Sequence, residues 1–261
     1  MGVLSFLPHP DIAAYISDIV VIENNNLYKE VILPLIPRGS PSITFQITNP
    51  WLTGGTRIDN LVLYGQHVRP IELRTSGYVI VIAYFLYPHM LKGLFGYDAK
   101  ELTDASIDLD LTEPARGMCL QEQLLNAPDL RHRMQLIDNF IRKLAAPCDT
   151  HAGRAIAHAT QLIQQGHGTL PVNCVQQELH TTERTLQRLF EAHVGVSPKT
   201  FSRICQFHAA LQQLSHNNFT DMTAVAFDNG YADQSHLIRA FKEFTHYSPL
   251  EYLKLAEDFP R

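Results

Sequence analysis

Apolar and polar positions change rhythm once along the chain. From residue 14 to 87, short apolar runs alternate with Pro, Gly and Asn breaks. "SITFQIT" sets Ile43, Phe45 and Ile47 against Thr44 and Gln46, the period of a half-buried strand, whereas "YVIVIAYFLY" is apolar on both faces and reads as a buried one. "TGGT" at 53–56 is a turn, and many short strands punctuated by turns predict a barrel or sandwich. Helical spacing follows near 113–126 and 129–145. In the second helix Leu130, Met134, Ile137, Ile141 and Leu144 form a stripe fit to pair with another helix or to pack on the chain's own barrel. "AAPCDTHA" then serves as a linker.

From residue 151 only amphipathic helical patterns with sharp stops remain. Ile156, Ala159 and Ile163 share a stripe that ends at Gly166 and Gly168, and a short pattern runs from Val172 to Leu179. After a break at His180 and Thr181, Thr182 caps a helix that buries Leu186, Leu189 and Phe190 and turns Arg184, Gln187 and Arg188 outward together. Two short helices with a tight turn between them make a helix-turn-helix, whose second helix can enter the major groove. The frame then recurs: Leu186, Arg188, Phe190, Ser197, Pro198 and Phe201 return as Leu237, Arg239, Phe241, Ser248, Pro249 and Tyr252, an offset of 51 (237 − 186). Each Ser-Pro is a helix start, and Glu251 completes a capping box in "SPLE". Between the units, "SPKTFSRICQFHAALQQLSH" predicts one helix of about 19 residues, roughly 28 Å long. One turn of B-DNA is about 34 Å, so such a rod can present two reading helices to successive grooves.

Residues 151–257 resemble the DNA-binding domain of the AraC/XylS transcription regulators, through "A-x-x-x-G-Y-x-D-Q-S-H-L-x-R-x-F-K" at 226–242 and "Y-S-P-x-x-Y" at 247–252. The resemblance implies base contacts from Arg184, Gln187 and Arg188 in the first unit and from Gln234, Ser235, His236 and Arg239 in the second. Arg can grip guanine O6 and N7, and Gln adenine N6 and N7. This sequence departs from the family at Gln176, where a small Ala is usual, at His180 and His246, where Gly is usual, and at Gln206, where Arg is common. The layout "PHPDIAAYISDIV … LPLIPRGSPSITFQI … YGQHVRPIEL … ELTDASIDL" is similar, more loosely, to the cupin-like sensor domain that precedes such DNA-binding domains. These resemblances imply an α+β two-domain protein. A cupin-like β-barrel with flanking helices would occupy 1–147, and an all-α domain 148–261, its helix-turn-helix units at about 154–195 and 197–257. They also imply double-stranded promoter DNA as partner, a homodimer, a small-molecule effector and contact with RNA polymerase.

Charge tempers that picture. Net charge is −5; before residue 150 there are 12 Lys+Arg against 16 Asp+Glu, and after it 9 against 10. Without a basic surplus, non-specific DNA affinity should be weak and salt-limited, and specific binding should lean on dimerisation. For the effector, Trp51, Tyr64, Gln66, His67, Arg69 and Tyr84 combine aromatic walls with polar anchors. No metal or other cofactor is expected: His67 lacks the H-x-H and following Glu of metal-binding cupins, and the nine histidines after residue 150 lack paired spacing. The rival classes are a barrel that only dimerises or binds a partner protein, and a cupin-like enzyme with a helical appendage. Cys119, Cys148, Cys174 and Cys205 have no C-x-x-C spacing and read as free thiols. The first residues carry no basic run and no apolar stretch spans a bilayer, so a cytoplasmic protein without membrane association is expected.

Overall fold

The computed structural model describes residues 2–24, 30–47, 51–52, 58–144, 151–216 and 221–257. The front half holds strands β1 (Gly2–Phe6), β2 (Ile16–Asn24), β3 (Glu30–Leu35), β4 (Ser42–Ile47), β5 (Trp51–Leu52), β6 (Leu61–Tyr64), β7 (Ile71–Ser76), β8 (Val79–Leu86) and β9 (Ser106–Asp108), with helices α1 (Met90–Phe95), α2 (Leu120–Asn126) and α3 (Leu130–Leu144). A six-stranded antiparallel sheet runs β1-β2-β8-β4-β6-β9, and a three-stranded one β3-β7-β5. No ladder joins the two sheets among the described residues, so the cupin-like barrel is open rather than closed. Pro34, which lacks an N–H, is accommodated because β3 is an edge strand.

Side-chain alternation divides the large sheet into two working faces. Ile19, Val21, Ile43, Phe45, Leu61, Leu63, Ile80, Ile82, Tyr84 and Leu86 form one core with Leu91, Leu94, Leu124, Ile137, Phe140 and Ile141 of the three helices. The α3 stripe therefore packs on the chain's own sheet. On the other face, Val79 and Val81 meet Leu73 of the small sheet. Strand β4, expected to be half-buried, is buried on both faces because it lies between β6 and β8 and its polar side is turned toward the small sheet. The amide N–H of Gln46 donates there to the Asp59 carbonyl at 2.7 Å, while its Oε1 is buried without a partner among the described residues. The helix expected from residue 113 starts at Leu120, after a 3₁₀ turn at Glu113–Ala115 that contains Pro114. The "TGGT" turn and most of the linker lie outside the described residues.

The back half is helical: α4 (His151–Gln165), α5 (Val172–Glu178), α6 (Glu183–His193), α7 (Pro198–Ser215), α8 (Met222–Asp228), α9 (Gln234–Thr245) and α10 (Pro249–Glu257). It has two small cores. Ile156, Ala159, Ile163, Val175, Leu186, Phe190 and Phe201 form the first, and Ile204, Phe207, Ala210, Leu214, Val225, Leu237, Phe241 and Phe244 the second. Helix α7 feeds both, with Phe201 in one and Phe207 in the other, so the two units hang on one rod. At 18 residues it spans about 27 Å.

Candidate functional site

Each unit shows how its sequence builds a second helix with an exposed polar face. In the first, His180 takes a left-handed turn at φ 48°, and the Thr182 hydroxyl accepts the Thr185 N–H at 3.3 Å to cap α6. With Leu186 and Phe190 buried on one side, Arg184 and Arg188 stand exposed on the other. Gln187 is half-buried and donates to Glu191 Oε1 at 2.8 Å, while Lys100 of the front half reaches Glu191 Oε2 at 2.8 Å. Hydrogen bonds from Lys100 and then Gln187 hold the Glu191 carboxyl below its usual range. Glu191 is thereby a tie between the two halves.

In the second unit, Asp221 caps α8 by accepting the Thr223 and Ala224 N–H groups at 2.7 and 2.8 Å, and Asp233 caps α9 through the His236 N–H at 2.6 Å. Gln234, Ser235, His236 and Arg239 are all exposed, opposite buried Leu237, Phe241 and Phe244. The His236 ring stands edge-on to Tyr231, centroids 5.2 Å apart, and its Nδ1 accepts the Ala232 N–H at 3.4 Å. Gln206, where an Arg is common, ties α7 to the turn after α8 by donating to the Asn229 carbonyl at 2.8 Å. Of the capping box expected at Ser248 the return half is present, with the Ser248 N–H donating to Glu251 Oε2 at 2.7 Å and the Ser248 hydroxyl donating to the same oxygen at 2.6 Å.

The front half grips this helical array at several points. Thr103 donates to the Gly195 carbonyl at 2.7 Å, the Tyr247 hydroxyl reaches Glu72 at 3.1 Å, and Ile36 and Val68 join the second helical core. Between the halves lies a cavity of about 370 Å³. Its floor is the polar face of β4, Ser42 and Thr44, beside Val20, Val81 and Phe85; Leu35 and Leu73 of the small sheet form a wall, and α7 closes it with His208, Leu211 and Ser215. That volume is within the range of small-molecule sites.

Two of the expected effector residues, Tyr64 and His67, line this cavity with ring centroids 5.6 Å apart. Gln66 is buried next to them, but its amide donates to the His67 carbonyl at 3.1 Å and it does not line the cavity. Arg69 is exposed, its backbone N–H on Asp104 at 3.2 Å. Tyr84 points to the opposite face of the sheet, where its hydroxyl lies 2.9 Å from Asp138 Oδ1 and 3.2 Å from the Met134 carbonyl, because strand parity places it with Ile80 and Ile82. Tyr84→Phe is therefore expected to lower unfolding free energy by about 1–2 kcal/mol, read by urea titration, as a structural hydrogen bond would. Trp51 is in β5, where the side chains lie outside the described ones. Sequence reasoning missed Ser42, Thr44 and the α7 residues. The polar positions of "SITFQI" were the available signal, and they read as a solvent face.

His208 donates its Nε2–H to the Pro37 carbonyl across the interface. Burial lowers its pKa to about 4, against an upward pull from that bond and with a further downward push from Arg38. His89 is lowered to about 4 by burial and then by His193. In the unfolded chain both would protonate near 6.5. Between pH 6.5 and 4 the unfolded state thus binds more protons, and stability must fall as pH falls. At about 1.4 kcal/mol per pH unit, His208 alone is expected to cost about 2 kcal/mol by pH 5. Denaturation midpoints from pH 7.5 to 5 check this, and His208→Gln should flatten the slope.

Residues 175–255 match the family model described as a helix-turn-helix domain, and residues 4–108 match that of a domain of unknown function, DUF6597. Comparison with curated proteins gives no significant match. Among solved structures, ToxT from Vibrio cholerae in its P21 form is similar at 12% identity and TM-score 0.50, over 98% of this chain and 99% of that one. The unsaturated fatty acid-bound wild-type ToxT of Vibrio cholerae strain SCE256 is similar at 14% identity and TM-score 0.50, over 91% and 94% of the two chains. Sheet-rich front half, paired helix-turn-helix units and shared rod define a two-domain fold like that of these structures. The carboxy-terminal half thus carries a helix-turn-helix domain, and the amino-terminal half is a distinct domain of another family. Among the described residues no helix is long and apolar enough to cross a membrane, and no group of three or more His, Cys, Asp or Glu is placed to hold a metal.

Proposed function

We propose that this chain is an AraC-type transcription regulator that acts in the cytoplasm as a homodimer, binds promoter DNA through α6 and α9, is controlled by a small molecule held in the cavity under α7, and activates transcription by contacting RNA polymerase. The observation that carries the reading is the pairing of two exposed polar faces, Arg184 with Arg188 and Gln234, Ser235, His236 with Arg239, on a single rod that also closes the cavity. Caps at Thr182 and Asp233 aim the start of each helix outward, which is where a recognition helix meets base edges. Effector control is supported by the cavity and by the fatty acid bound to a protein of similar fold. Dimerisation is supported by the small basic content of the helical half, which leaves one copy few phosphate contacts.

A selection of genomic fragments by the purified protein, followed by gel shift of the enriched fragment at fixed salt, tests this reading. The expected site has two reading segments about one helical turn apart in each half-site. Absence of enrichment at every salt concentration, with and without cell extract as a source of effector, would overturn DNA as the working partner. Sedimentation of the protein with and without the enriched fragment tests the dimer, and in vitro transcription from it tests activation.

A further inference from the structure

The cavity has a polar corner that the fold leaves unused. Tyr64 is 4% exposed, and its hydroxyl is buried without a hydrogen-bond partner among the described residues. Both ring nitrogens of His67 are in the same position, the Asp104 carboxylate standing 3.8 Å from Nδ1, beyond hydrogen-bond length. Buried donors and acceptors are almost always satisfied, so a group of three that is not, placed in a cavity wall, points to a partner outside the chain. The surrounding surface from Val20, Leu73, Val81, Phe85 and Leu211 is apolar.

The charges around the corner decide what kind of partner fits. Arg38 lines the cavity, but its guanidinium is 3.0 Å from Asp18 and lies over the Phe85 ring at 4.0 Å. His208 is committed to the Pro37 carbonyl, and burial keeps both His208 and His67 from protonating at neutral pH. Asp104 is fixed beside His67 by the Val68 and Arg69 N–H groups at 2.8 and 3.2 Å, and brings negative charge to the corner. An anionic ligand group there would be desolvated among apolar side chains, close to a carboxylate and with no free cation among the described lining residues. A hydroxyl avoids that penalty. It can accept from the Tyr64 O–H while donating to the unprotonated nitrogen of His67.

We infer that this corner recognises a neutral, largely apolar effector ending in an alcohol or phenol hydroxyl, with Tyr64 as donor to that oxygen and His67 as its acceptor. The inference rests on the reading of the cavity as the effector site. Three probes share one apolar body and differ at one end: 2-naphthaleneethanol, 2-naphthylacetate and 2-ethylnaphthalene. Their affinities for the full chain are measured by displacement of an apolar fluorescent dye at pH 7.5, with thermal shift as a second readout and gel shift of the enriched fragment in parallel. The alcohol is expected to bind at least tenfold tighter than the acid and about fivefold or more tighter than the hydrocarbon. Tyr64→Phe should bring the alcohol down to the level of the hydrocarbon, a ratio taken within one variant and so independent of any loss of stability. Equal or tighter binding of the acid, or an alcohol-to-hydrocarbon ratio untouched by Tyr64→Phe, would overturn the chemical class and leave the cavity and the DNA reading standing. Binding of none of the three by either readout, with the DNA complex intact, would overturn the cavity as effector site without touching the DNA-binding assignment.

Discussion

Replacing Arg184 and Arg188 together by alanine is expected to remove most sequence-specific DNA affinity, on the order of 2 to 5 kcal/mol, or roughly 30-fold to several thousand-fold. Both side chains are exposed one helical turn apart on α6, beyond the Thr182 cap. Gln187 between them is occupied by Glu191 and, through it, by Lys100, so the arginines carry the larger share of the reading face. The variant should fold normally because Leu186 and Phe190, which anchor the helix, are untouched. Gel shifts at fixed salt, with the enriched fragment and an unrelated one, separate the two kinds of contact. Base readers change the ratio between fragments, whereas phosphate contacts lower both together. A drop of less than about threefold on the enriched fragment would mean that α6 does not read the site.

Gly168→Ala is expected to destabilise the helical half by about 3 kcal/mol, the sum of strain in a left-handed backbone and overpacking. Gly168 has φ +71°, and a Cβ there would lie 2.0 Å from the Ser202 carbonyl oxygen and 2.6 Å from the Gln206 nitrogen, both backbone atoms of α7. Neither can rotate away as a side chain could, so the rod itself must shift against the first unit. Gly96→Ala is the control. Gly96 has a similar φ of +78° but open space around its would-be Cβ, so it should cost only the strain, about 1–2 kcal/mol. Urea denaturation of the two variants measures the difference, and equal losses would mean that the close approach of α7 contributes nothing.

The repeated frame was legible because it encodes burial. Leu186 and Leu237 are 1% and 0% exposed, Phe190 and Phe241 are both fully buried, and their spacing alone orients Arg188 and Arg239 outward. The caps were legible for a similar reason, since Ser197, Ser248 and Glu251 act within one helical turn of their own positions. What sequence did not reveal depends on distant partners. The polar face of β4 looked solvated because nothing near Ser42 and Thr44 announces that the small sheet and α7 cover it. Tyr84 looked like a cavity wall until the strand order put its side of β8 against α3. The stripe on α3 was compatible with a dimer seam or an internal contact, and only the packed core around Ile137 and Ile141 distinguishes them. The tie from Glu191 to Lys100 was likewise illegible, because the two lie 91 positions apart.

Helix α7 is at once a wall of the cavity and a backbone rod shared by both helix-turn-helix units. A molecule that fits the cavity better in one orientation of that rod than in another must shift the population of orientations, and DNA that demands one spacing of α6 and α9 must do the same from the other end. Thermodynamic linkage then makes the two effects equal. Whatever factor the effector adds to DNA affinity, DNA adds to effector affinity, so the strength of regulation can be measured at equilibrium from the cavity side alone, by titrating effector with and without the operator.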